Sequence, residues 1–212
     1  ASGFELQYVT AKSMTREMEL RAVYAPNPMT DVYIDAVTGD VVDGDGIEIN
    51  AEKITYKDIS KDVSGEQIKT LNACGILDDA EMFNPDENVL LCDYLLWMCR
   101  AVDCVKYKNI YDVAEKLVNC GVVTYEELEL NPYINTEKGI KYIVTYLGYG
   151  ELAKLPDTFK TGFVDEGMIS EDLIGYAAIA KGLGIFRGNA FMPQSYIKRN
   201  VAAEILYNLI SY

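Results

Sequence analysis

A glycine followed by two apolar residues occurs at Gly75-Ile76-Leu77, Gly121-Val122-Val123 and Gly184-Ile185-Phe186, and a proline follows each time at Pro85, Pro132 and Pro193. Glycine ends a helix by taking a left-handed conformation. A recurrence at so even a spacing, about ten residues from glycine to proline, marks a structural repeat. Each copy then resumes on an apolar residue, Val89, Ile134 or Ile197. The pattern predicts three helix, loop, helix units, the third reached by a longer connection over residues 149 to 169.

Local signals fill in the units. Ser64 and Gln67 stand at capping-box spacing and open a helix that runs to Gly75, and Thr124 with Glu127 has the same spacing for a short helix. Leu91, Tyr94, Leu95, Met98 and Val102 recur at three- and four-residue steps, the apolar face of a second helix. Trp97, Tyr94, Tyr142, Tyr146, Tyr176 and Tyr207 follow such apolar stripes, which predicts core packing and no open stacking face.

The first 50 residues read differently. Phe4 to Val9, Met18 to Tyr24 and Val32 to Asp35 alternate apolar and polar side chains between turn residues, and Thr38-Gly39 turns into Val41-Val42. The expected fold class is therefore α+β: mainly α, with a small N-terminal antiparallel β-meander ahead of a pseudo-threefold bundle. The expected divisions are 1–50, 55–104, 105–150 and 151–212. Asp43-Gly44-Asp45-Gly46 misses the calcium-loop spacing and reads as an acidic linker.

Composition narrows the function. The 212-residue chain is half apolar, enough to build a core, and it has no histidine, which excludes a Ser-His-Asp triad, an imidazole base and His-ligated zinc. A net charge of −14 repels nucleic acid and anionic lipid. No apolar stretch has the length of a membrane span, about 18 residues, and no basic-then-apolar leader stands at the N-terminus. Cys74, Cys92, Cys99, Cys104 and Cys120 form no C-x-x-C pair and read as packed thiols. Carboxylate runs such as Glu126-Glu127-Glu129 read as a solvated acidic face, and neither catalysis nor a cofactor is expected.

The repeat resembles the S-layer homology domain. The residues that carry the likeness are Tyr56-Lys57-Asp58-Ile59, Gly75-Ile76-Leu77 and Phe83-Asn84-Pro85 in the first copy, with Tyr107-Lys108-Asn109, Gly121, Pro132 and Ile134 in the second. In the third they are Phe163-Val164-Asp165, Gly184-Ile185-Phe186-Arg187-Gly188, Phe191-Met192-Pro193 and Ile197-Lys198-Arg199. Val32-Tyr33-Ile34-Asp35-Ala36-Val37-Thr38-Gly39-Asp40 is similar to the end of a PepSY-type or YcdB-type extracellular domain. The resemblance implies a non-catalytic module at the surface of a Gram-positive bacterium, holding an exported protein on an anionic cell-wall polysaccharide. The alternative is a degenerate scaffold that contacts other surface proteins or itself.

The family's anion contact is an arginine at the start of each second helix. That position holds Leu91, Thr136 and Arg199 here, so one copy keeps its cation. Arg199 with Lys198, Arg187 and Gly188 forms the local basic cluster. It is expected either to bind a glycan carboxylate beside exposed helix N–H donors, or to be a solvated helix end paired with a carboxylate. Asp58 and Asp165 are candidates for sugar hydroxyls, with the capping of backbone N–H groups as their plain reading.

Overall fold

In a computed structural model of the protein, residues 56–59, 63–155 and 158–211 are described in full. They hold eight α-helices: α1 (Gly65–Ala73), α2 (Leu91–Asp103), α3 (Ala114–Asn119), α4 (Tyr125–Leu130), α5 (Thr136–Tyr146), α6 (Gly150–Ala153), α7 (Ile174–Gly182) and α8 (Arg199–Ile210). From Tyr56 onward the extended pairings are isolated bridges, with no named strand. The expected α+β class is therefore corrected to a mainly α fold. The physical reason is that the helices cover one another's apolar faces, so the core closes without a sheet. The β-meander expected over residues 1–50 lies outside the described residues.

The helices follow one scheme three times. The short helices α1, α3 and α7 end at Gly75, Gly121 and Gly184, whose φ angles are 69°, 68° and 71°. In each case the glycine N–H donates back into the last turn and the next N–H reaches one residue further, as in Gly75 to Asn72 O (2.8 Å) and Ile76 to Leu71 O (2.9 Å). These are the paired bonds of a Schellman stop, which a left-handed residue makes possible. The residue before each proline is also left-handed: Asn84 (55°), Asn131 (42°) and Met192 (50°).

Extended segments then lead into the longer helices α2, α5 and α8, and these segments close a ring. Leu90 bridges Tyr133, Asn135 bridges Tyr196, and Lys198 bridges Asn88. The residues between the bridging positions, Val89, Ile134 and Ile197, are at most 1% exposed and meet at the centre. The first N–H of each longer helix donates to the neighbouring segment: Leu91 to Pro132 O (2.9 Å), Thr136 to Ser195 O (3.0 Å), Arg199 to Glu87 O (2.8 Å). Each unit thus supplies acceptors to the helix start of another, and the pattern is cyclic.

Helix packing obeys the same rotation. α8 packs on α1, α5 on α7, and α2 on the 3₁₀ turn Ile110–Asp112 that leads into α3. Trp97, Tyr94, Phe83, Phe191, Leu91 and Met98 are fully buried in the shared core, and Tyr142 and Tyr176 are buried with them. Local expectations divide at the caps. Thr124 and Glu127 make both bonds of their capping box, whereas Ser64 stands at the N-cap of α1 without a side-chain cap hydrogen bond.

Candidate functional site

Arg199 is the first residue of α8, and ring closure carries its side chain onto the loop before α2. Its Nε–H donates to the Phe83 carbonyl oxygen at 2.7 Å, and Nη1 lies 3.4 Å from Asp93 Oδ2. The guanidinium carbon sits 5.0 Å from the Phe83 ring centre and 4.7 Å from that of Trp97, so the planar cation is stacked on buried aromatic faces. The side chain is 21% exposed. Burial pushes the Asp93 carboxyl up, Arg199 opposes that shift, and Asp78 adds to it.

A second arginine lies behind the same wall. Arg100 is buried, and it donates to Tyr107 O (2.9 Å), Ile76 O (3.0 Å) and Asp78 Oδ1 (2.7 Å). Trp97 Nε1–H donates to the other Asp78 oxygen at 3.0 Å, and the Tyr56 hydroxyl to the Asp78 carbonyl at 2.6 Å. Sequence reasoning missed this group. Its available signal was an arginine inside the apolar run of α2, three residues after the tryptophan, since a charge on a buried helix face must be paired.

The other expected residues are placed as follows. Lys198 forms a 3.1 Å ion pair with Asp86 Oδ1. Arg187 folds back to donate to Gly184 O at 3.1 Å, and Gly188 lies in the adjoining turn at a φ of 128°. Asp58 accepts the N–H groups of Phe83 (2.9 Å) and Asn84 (2.6 Å); Asp165 accepts those of Phe191 (2.8 Å) and Met192 (2.7 Å). Both carboxylates thus clamp the loop ahead of the proline. The Phe191 and Met192 N–H bonds hold the Asp165 carboxyl below its ordinary range. The structure brings Asp58 and Arg199 together at Phe83, one on its N–H and the other on its carbonyl. Arg187 and Gly188 belong to the end of α7.

The chemical consequence bears on the anion reading. The first two N–H groups of α8 are taken by Glu87 O and Pro85 O, at 2.8 and 3.0 Å, so they do not flank Arg199 as open donors. An incoming carboxylate would meet the Asp93 carboxylate already beside the guanidinium, with Asp78 behind it. As it stands, the arrangement clamps the third unit to the first.

Polar clamps of different make hold the other two seams. Asp103 Oδ2 accepts the Tyr107 hydroxyl (2.8 Å), the Tyr146 hydroxyl (2.7 Å) and Lys116 Nζ (2.7 Å). Burial works to raise the Asp103 carboxyl, but these donors outweigh it and hold the group below its usual value. Burial, helped by the same contact, pushes the Tyr107 phenol up to about 12. Burial also pushes the Cys99 thiol up to about 12, against a hydrogen bond to Tyr146, which makes it a packed thiol and a poor nucleophile. Between the middle and third units, the buried Glu137 accepts from Ser170 N, Ser170 Oγ and Gln194 Nε2 at 3.1, 3.1 and 2.8 Å.

Among the described residues no group of three or more Cys, Asp or Glu is placed to hold a metal ion, and no helix is long and apolar enough to cross a membrane. No protein-family model matches the chain, and no curated protein matches it.

Proposed function

We propose that the protein is a non-catalytic cell-surface module built from three units of the S-layer homology kind, which holds an exported protein on cell-wall polysaccharide. The observation that supports this reading is the cyclic ring, with Leu91, Thr136 and Arg199 at the same first position of their helices and the same glycine stop and pre-proline turn in each unit. In this reading Arg199 serves the seam, and wall retention does not depend on its charge meeting a glycan carboxylate.

Sedimentation with purified Gram-positive cell walls tests the proposal. The intact chain is expected in the wall pellet; its absence from every wall preparation removes the reading. Arg199→Ala is expected to lower stability by about 2 kcal/mol, from a lost charge-assisted hydrogen bond and stacking on Trp97. At a temperature where it stays folded, wall retention should change less than twofold. A folded Arg199→Lys protein that no longer sediments with walls would restore arginine as the direct contact.

A second reading is favoured by Leu91 and Thr136, which stand where the family's arginine belongs. In it the module is a scaffold that associates with itself or with another surface protein, without glycan. Light scattering across a concentration series separates the two, since self-association raises the mean mass and a constant monomer mass removes that form of the scaffold.

A further inference from the structure

The ring has an outer face, and backbone alternation decides what stands on it. Val89, Ile134 and Ile197 turn inward, so the bridging residues on either side of each turn outward. The position before the central residue holds Tyr133 in the middle unit, Tyr196 in the third and Asn88 in the first. Tyr133 and Tyr196 are 54% and 59% exposed, and their rings meet edge to face at 6.2 Å and 64°. Each sits one residue from a core position, on backbone held by its bridge. An aromatic side chain with only two torsions on such a base loses little entropy when covered.

The rim of this pair is polar without being charged overall. Asn88 is exposed, Asn135 Nδ2 donates to Gln194 Oε1 at 3.3 Å, and Lys198 is neutralised by Asp86 at 3.1 Å. Lys198, the cation named on this rim, already faces Asp86, and both a polyanion and a second copy meet like charge on a chain at −14. An apolar ring face edged with hydroxyl groups matches both features, because it covers the tyrosine faces and offers hydrogen bonds to amides without needing a counter-charge.

We propose that Tyr133 and Tyr196 form a stacking platform for an uncharged pyranose unit, with Asn88, Asn135 and Gln194 as its hydrogen-bonding rim. The inference rests on the wall-saccharide reading and gives it a different contact, a neutral sugar on the ring face in place of an acidic sugar beside Arg199.

The test uses the full chain with three probes: the tetramer of N-acetylglucosamine, a neutral glucose tetramer, and a galacturonate tetramer as the anionic control. Saturation-transfer NMR and calorimetry should show at least one neutral tetramer bound, with a dissociation constant on the order of 1 mM, and the anionic one bound at least tenfold more weakly. The double variant Tyr133→Ala and Tyr196→Ala should lose at least tenfold in affinity, while Tyr133→Phe with Tyr196→Phe stays within threefold, because the ring and not the hydroxyl does the stacking. Unchanged affinity in the double alanine variant, preference for the anionic tetramer, or no binding of either neutral tetramer overturns the proposal. Wall sedimentation separates the two failures. Retention of native chain and alanine variant alike, with no neutral tetramer bound, sinks the platform and leaves the anchoring. Tetramer binding lost in the alanine variant, with no native chain on walls, sinks the anchoring and leaves the platform.

Discussion

The first and third units close their loops in one way and the middle unit in another. In the outer units a carboxylate, Asp58 or Asp165, accepts two adjacent loop N–H groups, and a phenylalanine at that point, Phe83 or Phe191, is 1% exposed. Each phenylalanine belongs to an aromatic group: Tyr56 and Trp97 lie around Phe83, Phe163 and Phe186 around Phe191. The middle unit has Leu130 at the corresponding place, 71% exposed, and the short helix α4 fills the loop. Its pre-proline Asn131 turns outward to the first unit and accepts the Cys92 N–H at 2.8 Å. What all three keep is the glycine stop, the left-handed residue before proline and the apolar residue at the centre. The ring needs these, whereas the aromatic, carboxylate-clamped loop is one of two ways to span the distance between them.

The largest expected effect tests that shared requirement. Ile134→Ala and Ile197→Ala each remove a fully buried branched side chain from the centre, and each should cost about 2–5 kcal/mol. The two losses should be similar although the units differ in their loops. Urea denaturation followed by circular dichroism checks this. A full loss at Ile197 with almost none at Ile134 would mean that the middle unit does not share the centre on equal terms.

The next effect concerns the seam between first and middle units, where Asp103 collects its three donors. Asp103→Asn should cost about 2 kcal/mol at pH 7, the scale of a hydrogen bond to a charged group. The sign of the pH dependence follows from its carboxyl being held below the ordinary value. The folded protein binds that proton less tightly than the unfolded chain, so the stabilisation is fully present above the unfolded value of about 3.9. It is lost as the pH falls through the lower, folded value. The native protein should therefore lose stability on acidification more steeply than Asp103→Asn, and parallel curves between pH 6 and pH 3 would contradict the assignment.

How much of this was legible in the sequence follows the range of the interactions. Gly75, Gly121 and Gly184 announce helix stops because the stop is made within a few residues, and Thr124 and Glu127 announce their box for the same reason. The apolar spacing of α2 is also local, and Leu91, Tyr94, Leu95 and Met98 are buried. The partners of Arg199 were not legible. Phe83 and Asp93 are 116 and 106 positions away, and they meet it only because the third unit closes onto the first. No local pattern says which carboxylate a ring closure will deliver. The Asp103 clamp did leave a trace, since an acid at the C-terminal end of a helix is disfavoured by the helix dipole unless something compensates it. Asp58 and Asp165 read in the sequence as caps of the helix just ahead of them; Asp165 makes no side-chain cap bond there, and both carboxylates bind instead the N–H groups of loops 25 to 27 residues on.

The smallest effect sharpens the contrast between outer and middle loops. Asp165→Asn and Asp58→Asn each replace a charged acceptor of two N–H bonds by a neutral amide whose nitrogen cannot accept. Solvent reaches both sites, so the loss is discounted to about 1 kcal/mol apiece. In the middle unit Asn109 stands at the aligned position, and the nearby carboxylate Asp112 accepts the Lys108 and Asn109 N–H groups four and three residues before it, at 2.7 and 3.3 Å. It therefore caps its own turn and ties down no distant loop. Asp112→Asn should then raise amide exchange only over residues 108–113. Asp165→Asn should raise it at Phe191 and Met192, far along the chain, and Asp58→Asn at Phe83 and Asn84. If loosening at Asp112 spread to the Leu130 and Asn131 amides as well, the middle loop would be clamped like the others, and the division between the two kinds of unit would fall.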